Sequence, residues 1–201
     1  MITEQKLAEL RDKYPNGTRV KLLKTMDDMQ PIKAGEIGEV DYIDDAGSIH
    51  MLWDNGSTLA LIEEVDLFEI VSKPEKIKVI IAEPKKEPYV KEIYNTLAAK
   101  QKLVGGYIQS VPSFFDDKDS YDFIVNEEGK LDGLPLNRYI YDKKDIVAGN
   151  LILAKVDIEK GDYITIPDYE IDFLLDKLDA ECPMYRDVFE LNKDEMEEIE
   201  K

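Results

Sequence analysis

The sequence predicts an α+β protein in parts: a small SH3-like β-barrel behind a short N-terminal helix, then an α+β domain, then an acidic C-terminal helical tail. Three observations carry this. Asp45-Ala46-Gly47 and Asp54-Asn55-Gly56 separate alternating apolar runs, and Asx-Gly turns so placed are strong hairpin signals. From Ile77 the pattern changes to an almost unbroken apolar run followed by segments of helical period. From Asp179 the chain turns acidic, with nine Asp or Glu against three Lys or Arg up to Lys201. The expected boundaries are 1–72, a linker at 73–76, 77–178, and a tail at 179–201.

Taken in order, Thr3 is an N-cap for a helix that buries Leu7, Leu10 and Tyr14 and stops at Pro15-Asn16-Gly17. Strands are expected at Thr18–Leu23, Gly38–Ile43, Ser48–Trp53 and Ser57–Ile62. Short strands joined by tight turns suggest the barrel. The loop from Thr25 to Ala34 is its longest excursion. Ser72-Lys73-Pro74-Glu75-Lys76 reads as the connector. Ile77–Ala82 suits a strand covered on both faces. Glu87-Pro88 places proline at a first helical position, so a helix is expected to run from there to Gly105-Gly106. Strands follow at Tyr107–Val111 and from Tyr121, with an acidic loop at Asp116–Ser120 between them. Asn150–Val156 reads as another buried strand. Pro167-Asp168 opens a helix with Ile171, Leu174, Leu175 and Leu178 on one face.

The composition excludes several classes. Of 201 residues, 44 are Asp or Glu and 26 Lys or Arg, a net charge of −18. Residues 1–72 alone hold 15 acidic against seven basic side chains. Such a field repels nucleic acid and anionic membranes, so direct nucleic-acid binding is not expected, and it favours docking onto a basic surface. One cysteine, Cys182, rules out an internal disulfide, and with the single His50 it leaves no basis for a zinc site. No cofactor is expected. With no apolar run long enough to cross a membrane and no signal-peptide core, the expected location is the cytoplasm.

Candidate chemistry is sparse. His50 alternates with Ile49 and Met51, so it faces away from them; without a second His or a Gly-x-Ser-x-Gly elbow it reads as a packing or surface residue. Trp53 has two readings. Either it fills the barrel above the Asp54-Asn55-Gly56 turn, or it joins Tyr42 and the 26–31 loop in an exposed patch that binds a protein. Asp116, Asp117, Asp119 and Asp122 are dense in acid but lack EF-hand spacing, so no metal site is expected. Asp116, Asp117 and Asp119 instead join Trp53, Asp54, Asn55 and Tyr42 as partner-binding candidates. The stretch Tyr121–Arg138 offers Glu127, Glu128, Lys130, Asn137 and Arg138 as an alternative ligand-binding set. Arg138 is the only arginine between Arg19 and Arg186; it is expected either to pair with Glu127 or Glu128 across a hairpin or to contact a ligand. Glycine-rich phosphate loops are absent.

Two stretches carry a resemblance. Gly17–Leu22, the elements at 26–31, Gly35-x-x-Gly38-x-Val40 and His50–Ser57 are similar to a small uncharacterised module found in proteins of phages and conjugative elements. Leu103–Ile108, Asn126–Lys130, Gly133–Arg138 and Ile146–Asn150 resemble a second uncharacterised family of phages and mobile elements of Gram-positive gut bacteria. That resemblance implies an accessory protein with an anti-defence role, and some members are inhibitors of the type II CRISPR effector Cas9. The expected function is therefore non-enzymatic: an acidic inhibitor binding a host defence protein with a basic surface, Cas9 or its guide-RNA complex. Sequestration of a nucleotide signal and a host-takeover adaptor built on the barrel are the alternatives.

Overall fold

The computed structural model describes residues 2–113, 120–141 and 143–184 and divides the chain into two compact units, Met1–Glu75 and Lys76–Lys201. The N-terminal unit begins with α1 (Glu4–Lys13), where the Thr3 side chain accepts from the Lys6 N–H at 3.2 Å. Four antiparallel strands follow: β1 (Arg19–Leu22), β2 (Ile37–Ile43), β3 (Ile49–Trp53) and β4 (Phe68–Ser72), in the order β3-β2-β1-β4. Leu10 of α1 and Tyr14 at its C-terminal cap join Val20, Leu22, Val40, Ile49, Met51 and Trp53 in one core. In β3 the inward set is Ile49, Met51 and Trp53, which leaves His50 on the outer side as the alternation requires.

Two expectations for this unit are corrected. The sheet is open rather than a closed barrel among the described residues. Residues 57–62 do not form a full strand but touch β3 only at the ends, through Trp53 N–H to Ser57 O and a reciprocal pair between Ile49 and Leu61. Between those points the Trp53 indole donates to Leu59 O at 2.7 Å, so a side chain takes an acceptor that a continuous ladder would have used.

The second unit is built on a six-stranded antiparallel sheet. Its strands are β5 (Lys76–Ala82), β6 (Tyr89–Tyr94), β7 (Ile108–Pro112), β8 (Ser120–Asn126), β11 (Leu151–Asp157) and β12 (Asp162–Ile164), in the order β6-β5-β11-β8-β7 with β12 beside β11. Helix α2 (Leu97–Val104) packs on the face carrying Ile77, Val79, Ile81, Ile124 and Ile152. Helix α3 (Asp168–Glu181) and the hairpin of β9 (Leu136–Ile140) and β10 (Asp145–Ala148) lie on the side of Ile80, Phe123, Val125, Leu151 and Leu153. Ile77–Ala82 is thus covered on both faces, as its unbroken apolar character requires.

The helix expected from Glu87-Pro88 does not form there. Glu83–Lys86 makes a hairpin turn with Lys85 at φ 61°, and β6 pairs Tyr89–Tyr94 with Ile81–Lys76. Tyr89, Val90, Ile93 and Tyr94 are β-formers, and pairing with β5 satisfies the backbone that a helix would otherwise have satisfied internally. The helix starts later, where Thr96 accepts from the Ala99 N–H, and it stops at Gly105, whose φ of 80° is left-handed. The expected helical tail lies, from residue 185 on, outside the described residues, as do Asp116, Asp117 and Asp119. Among the described residues no helix is long and apolar enough to cross a membrane.

Candidate functional site

At one end of the second unit's sheet, three asparagines tie together segments far apart in sequence. Asn126 closes β8: its Nδ2 donates to Val104 O and Gly105 O at the end of α2, and its Oδ1 accepts from the Glu128 N–H at 2.9 Å. Asn137, fully buried, donates to Ala82 O and Gly149 O, both at 2.8 Å. Asn150 donates to Leu103 O at 2.8 Å. Gly129 completes the joint. A Cβ there would stand 2.6 Å from Ala148 O, so only glycine lets the turn after β8 lie against β10.

Arg138 does not pair with Glu127 or Glu128. It is 1% exposed, and its Nη1 donates to Asp179 Oδ1 at 2.9 Å and to Cys182 O at 3.2 Å. A cation at the last carbonyl of α3 offsets the negative end of the helix, whose last turn has no basic residue of its own. Asn137 and Arg138 are thus built into the framework, while Asn137 Oδ1 and Arg138 Nε and Nη2 are buried with no hydrogen-bond partner among the described residues.

Beside this joint lies a cavity of about 440 Å³. Phe123 and Val125 of β8, Val111 of β7, Ile140 of β9 and Val147 of β10 give it an apolar lining. Gln109, Glu127, Lys130, Leu131 and Asp145 stand at its exposed rim. Its size falls within the usual range for small-ligand sites, and the mix of apolar wall and few polar groups is typical of them. Of the expected ligand set, Glu127 and Lys130 line it and Glu128, Asn137 and Arg138 do not. Lys130 is bound to Asp145, and with the Ile146 N–H it holds the Asp145 carboxyl below its ordinary range. Gln109, Phe123, Val125 and Asp145 are additions that no local motif announces, because β7, β8 and β10 meet only in three dimensions.

Of the expected partner set, Tyr42, Trp53, Asp54 and Asn55 lie in the N-terminal unit, and Asp116, Asp117 and Asp119 lie outside the described residues. Trp53 is 3% exposed and belongs to the core, which overturns an exposed patch centred on it. Asp54 pairs with Arg19 at 2.6 Å, and Asn55 Oδ1 accepts from the Ser57 N–H to make the turn. Asp54 and Asn55 are exposed, and Tyr42 is 52% exposed, its ring stacked 4.2 Å from that of His50. His50 in turn meets Asp44 at 3.0 Å; that contact, with the Ser48 and Ala46 N–H groups, lowers the Asp44 carboxyl to about 2.

Elsewhere, the chemistry-bearing side chains hold elements together. The second cavity, about 430 Å³ and walled by Ile2, Lys6, Leu10 and Gly47, has its Glu63 occupied by Lys6, Lys13 and Tyr14. Tyr163, Ser110 and Asp122 share hydrogen bonds that join β12 to β7 and β8. No group of three or more His, Cys, Asp or Glu placed to hold a metal occurs among the described residues.

Two family models match the chain. The domain of unknown function DUF3846 covers residues 77–179, just over half of it, and the domain of unknown function DUF4314 covers residues 3–71. No curated protein and no solved structure matches it.

Proposed function

We propose that this chain, which belongs to the DUF3846 family, is a non-enzymatic binding protein whose acidic surface docks on the basic, nucleic-acid-binding surface of a host defence effector. The observation that carries this reading is the net charge of −18 and its distribution. Of the seven cations in residues 1–72, Lys6, Arg11, Lys13 and Arg19 are engaged with carboxylates, while Asp27, Asp28, Glu64 and Glu69 stand exposed. A surface of that sign is steered towards channels that hold nucleic acid, and it suppresses encounters with nucleic acid itself. In this reading the N-terminal unit is an SH3-like module supported by its short antiparallel strands and tight turns. The protein would act in the cytoplasm of a bacterium that a phage or other mobile element has entered.

A nucleotide-sequestering role has less support. Arg138 is spent on α3 and Lys130 on Asp145, so the cavity rim offers a phosphate no free cation among the described residues. The test is binding of the purified chain to a panel of nucleic-acid-targeting effectors, beginning with Cas9 with and without guide RNA, at low and high salt. Binding that weakens steeply as salt rises is expected. No binding to any member at low salt, or binding indifferent to salt, defeats the proposal.

A further inference from the structure

We propose that the 440 Å³ cavity receives the side chain of an arginine from a basic protein partner, its stem on the apolar wall and its guanidinium at the Glu127 carboxylate. The charges at the mouth decide the sign of the occupant. Lys130 and Asp145 neutralise each other. Glu127 is exposed, is anchored through its own N–H to Tyr107 O at 2.9 Å, and has no ion-pair partner among the described residues. The rim therefore carries one uncompensated negative charge, and an anionic ligand would meet it head on.

The wall decides the rest. A purely apolar occupant would strip water from Glu127 without replacing it, which is unfavourable. An amphipathic cation avoids that cost, because its aliphatic stem covers apolar surface while its head stays at the rim. Between the two long cations, arginine fits better. The guanidinium is weakly hydrated and presents a fork that matches a carboxylate. Arginine is also a residue that anchors protein interfaces in pockets of this kind.

The inference rests on the acidic-binder reading for the source of the arginine, but the site can be tested without any effector. The isotope-labelled full chain is titrated with Nα-acetyl-arginine methylamide and, separately, with the neutral citrulline analogue of the same length, while amide resonances are followed by NMR. The arginine compound should give saturable shifts at Gln109, Val125, Glu127 and Val147, and the citrulline compound should bind at least about tenfold more weakly. Glu127→Gln, an exposed change that leaves the fold intact, should weaken arginine binding about fivefold or more and leave citrulline binding unchanged. Glu64→Gln in the other unit should change neither. Equal binding of the two compounds, shifts spread over the acidic surface, indifference to Glu127→Gln, or no saturable shift each overturn the inference. Effector binding is read in its own assay, so an effector bound without a working cavity sinks only this inference, and a working cavity with no effector bound sinks only the functional reading.

Discussion

Asn137→Ala removes two 2.8 Å hydrogen bonds from a fully buried site and orphans Ala82 O and Gly149 O. Each buried acceptor left without a donor costs about 1–3 kcal/mol. Taking the low end for each, because a carbonyl has two lone pairs, and adding the void left by the amide, the loss is about 2–4 kcal/mol. For a unit of this size that corresponds to a fall in Tm of roughly 8–16 °C. Asn137→Asp provides the sharper contrast. Asn137 Oδ1 has no hydrogen-bond partner among the described residues, so the side chain acts only as a donor. Aspartate keeps the shape but sets oxygen against two carbonyl oxygens, and a buried carboxylate cannot donate unless it is protonated. The expected order of stability at neutral pH is wild type, then Ala, then Asp. Thermal unfolding followed by far-UV circular dichroism reads the loss. Fluorescence of Trp53, which lies in the other unit, provides a separate signal. An Asp variant as stable as wild type would refute the donor role and the joint built on it.

Two further outcomes follow from other parts of the framework. Glu170 is buried, which pushes its carboxyl up, but Lys155 at 2.7 Å, Tyr121 at 2.8 Å and Tyr169 hold it on balance below the usual Glu range. Its contribution is therefore full above the unfolded-state value of about 4.3 and is lost as pH falls through the lower folded value. Glu170→Gln should cost about 3 kcal/mol at pH 7 by removing the carboxylate that Lys155 and Tyr121 contact, and should flatten the acid limb of a stability profile below about pH 4.3; an unchanged acid limb contradicts this. In the N-terminal unit, Gly38→Ala would put a Cβ 2.8 Å from the Trp53 ring and 3.1 Å from its Cα. Because backbone is involved, relief requires a strand to shift, at about 1–3 kcal/mol. A lower Tm with a red-shifted Trp53 emission is expected, and an unaltered emission with full stability would speak against the tight seat.

What was legible in the sequence was what neighbours in the chain decide. Thr3 capping α1, Gly105 ending α2, the two Asx-Gly turns, and α3 with Leu174 and Leu178 buried all follow from local chemistry. The errors came where a distant segment outbid a local preference. Pro88 favoured a helix start, yet β5 was available to pair with Tyr89–Tyr94. The strand signal at 57–62 was genuine, but the Trp53 indole took Leu59 O from the ladder. Arg138 was singled out correctly as unusual and assigned the wrong partner, because Asp179 and Cys182 lie 41 and 44 positions away. The cavity was half visible through Glu127 and Lys130; its other walls are brought by β7, β9 and β10, and no spacing rule reaches that far.

The same residues show what the motifs do in the fold. Gly106 lies under the Asn126 amide, Gly129 under Ala148 O, Gly149 against Leu134, and Asn126, Asn137 and Asn150 bond carbonyls of three segments, the end of α2, Ala82 and Gly149. Every one of these asparagine amide nitrogens is spent on backbone carbonyls inside the protein. Their joint effect is geometric: they hold β8, the turn after it and β10 at the spacing that leaves the cavity open beside them. The side chains free to choose an occupant are those at the rim, where Gln109, Glu127 and Leu131 are exposed and Lys130 and Asp145 hold each other. Under the proposed reading, exchanging rim residues changes what binds without disturbing the buried joint, whereas exchanging a joint residue moves the wall itself. Recognition would then reside in the exposed positions that the motifs surround, with the motifs supplying the frame.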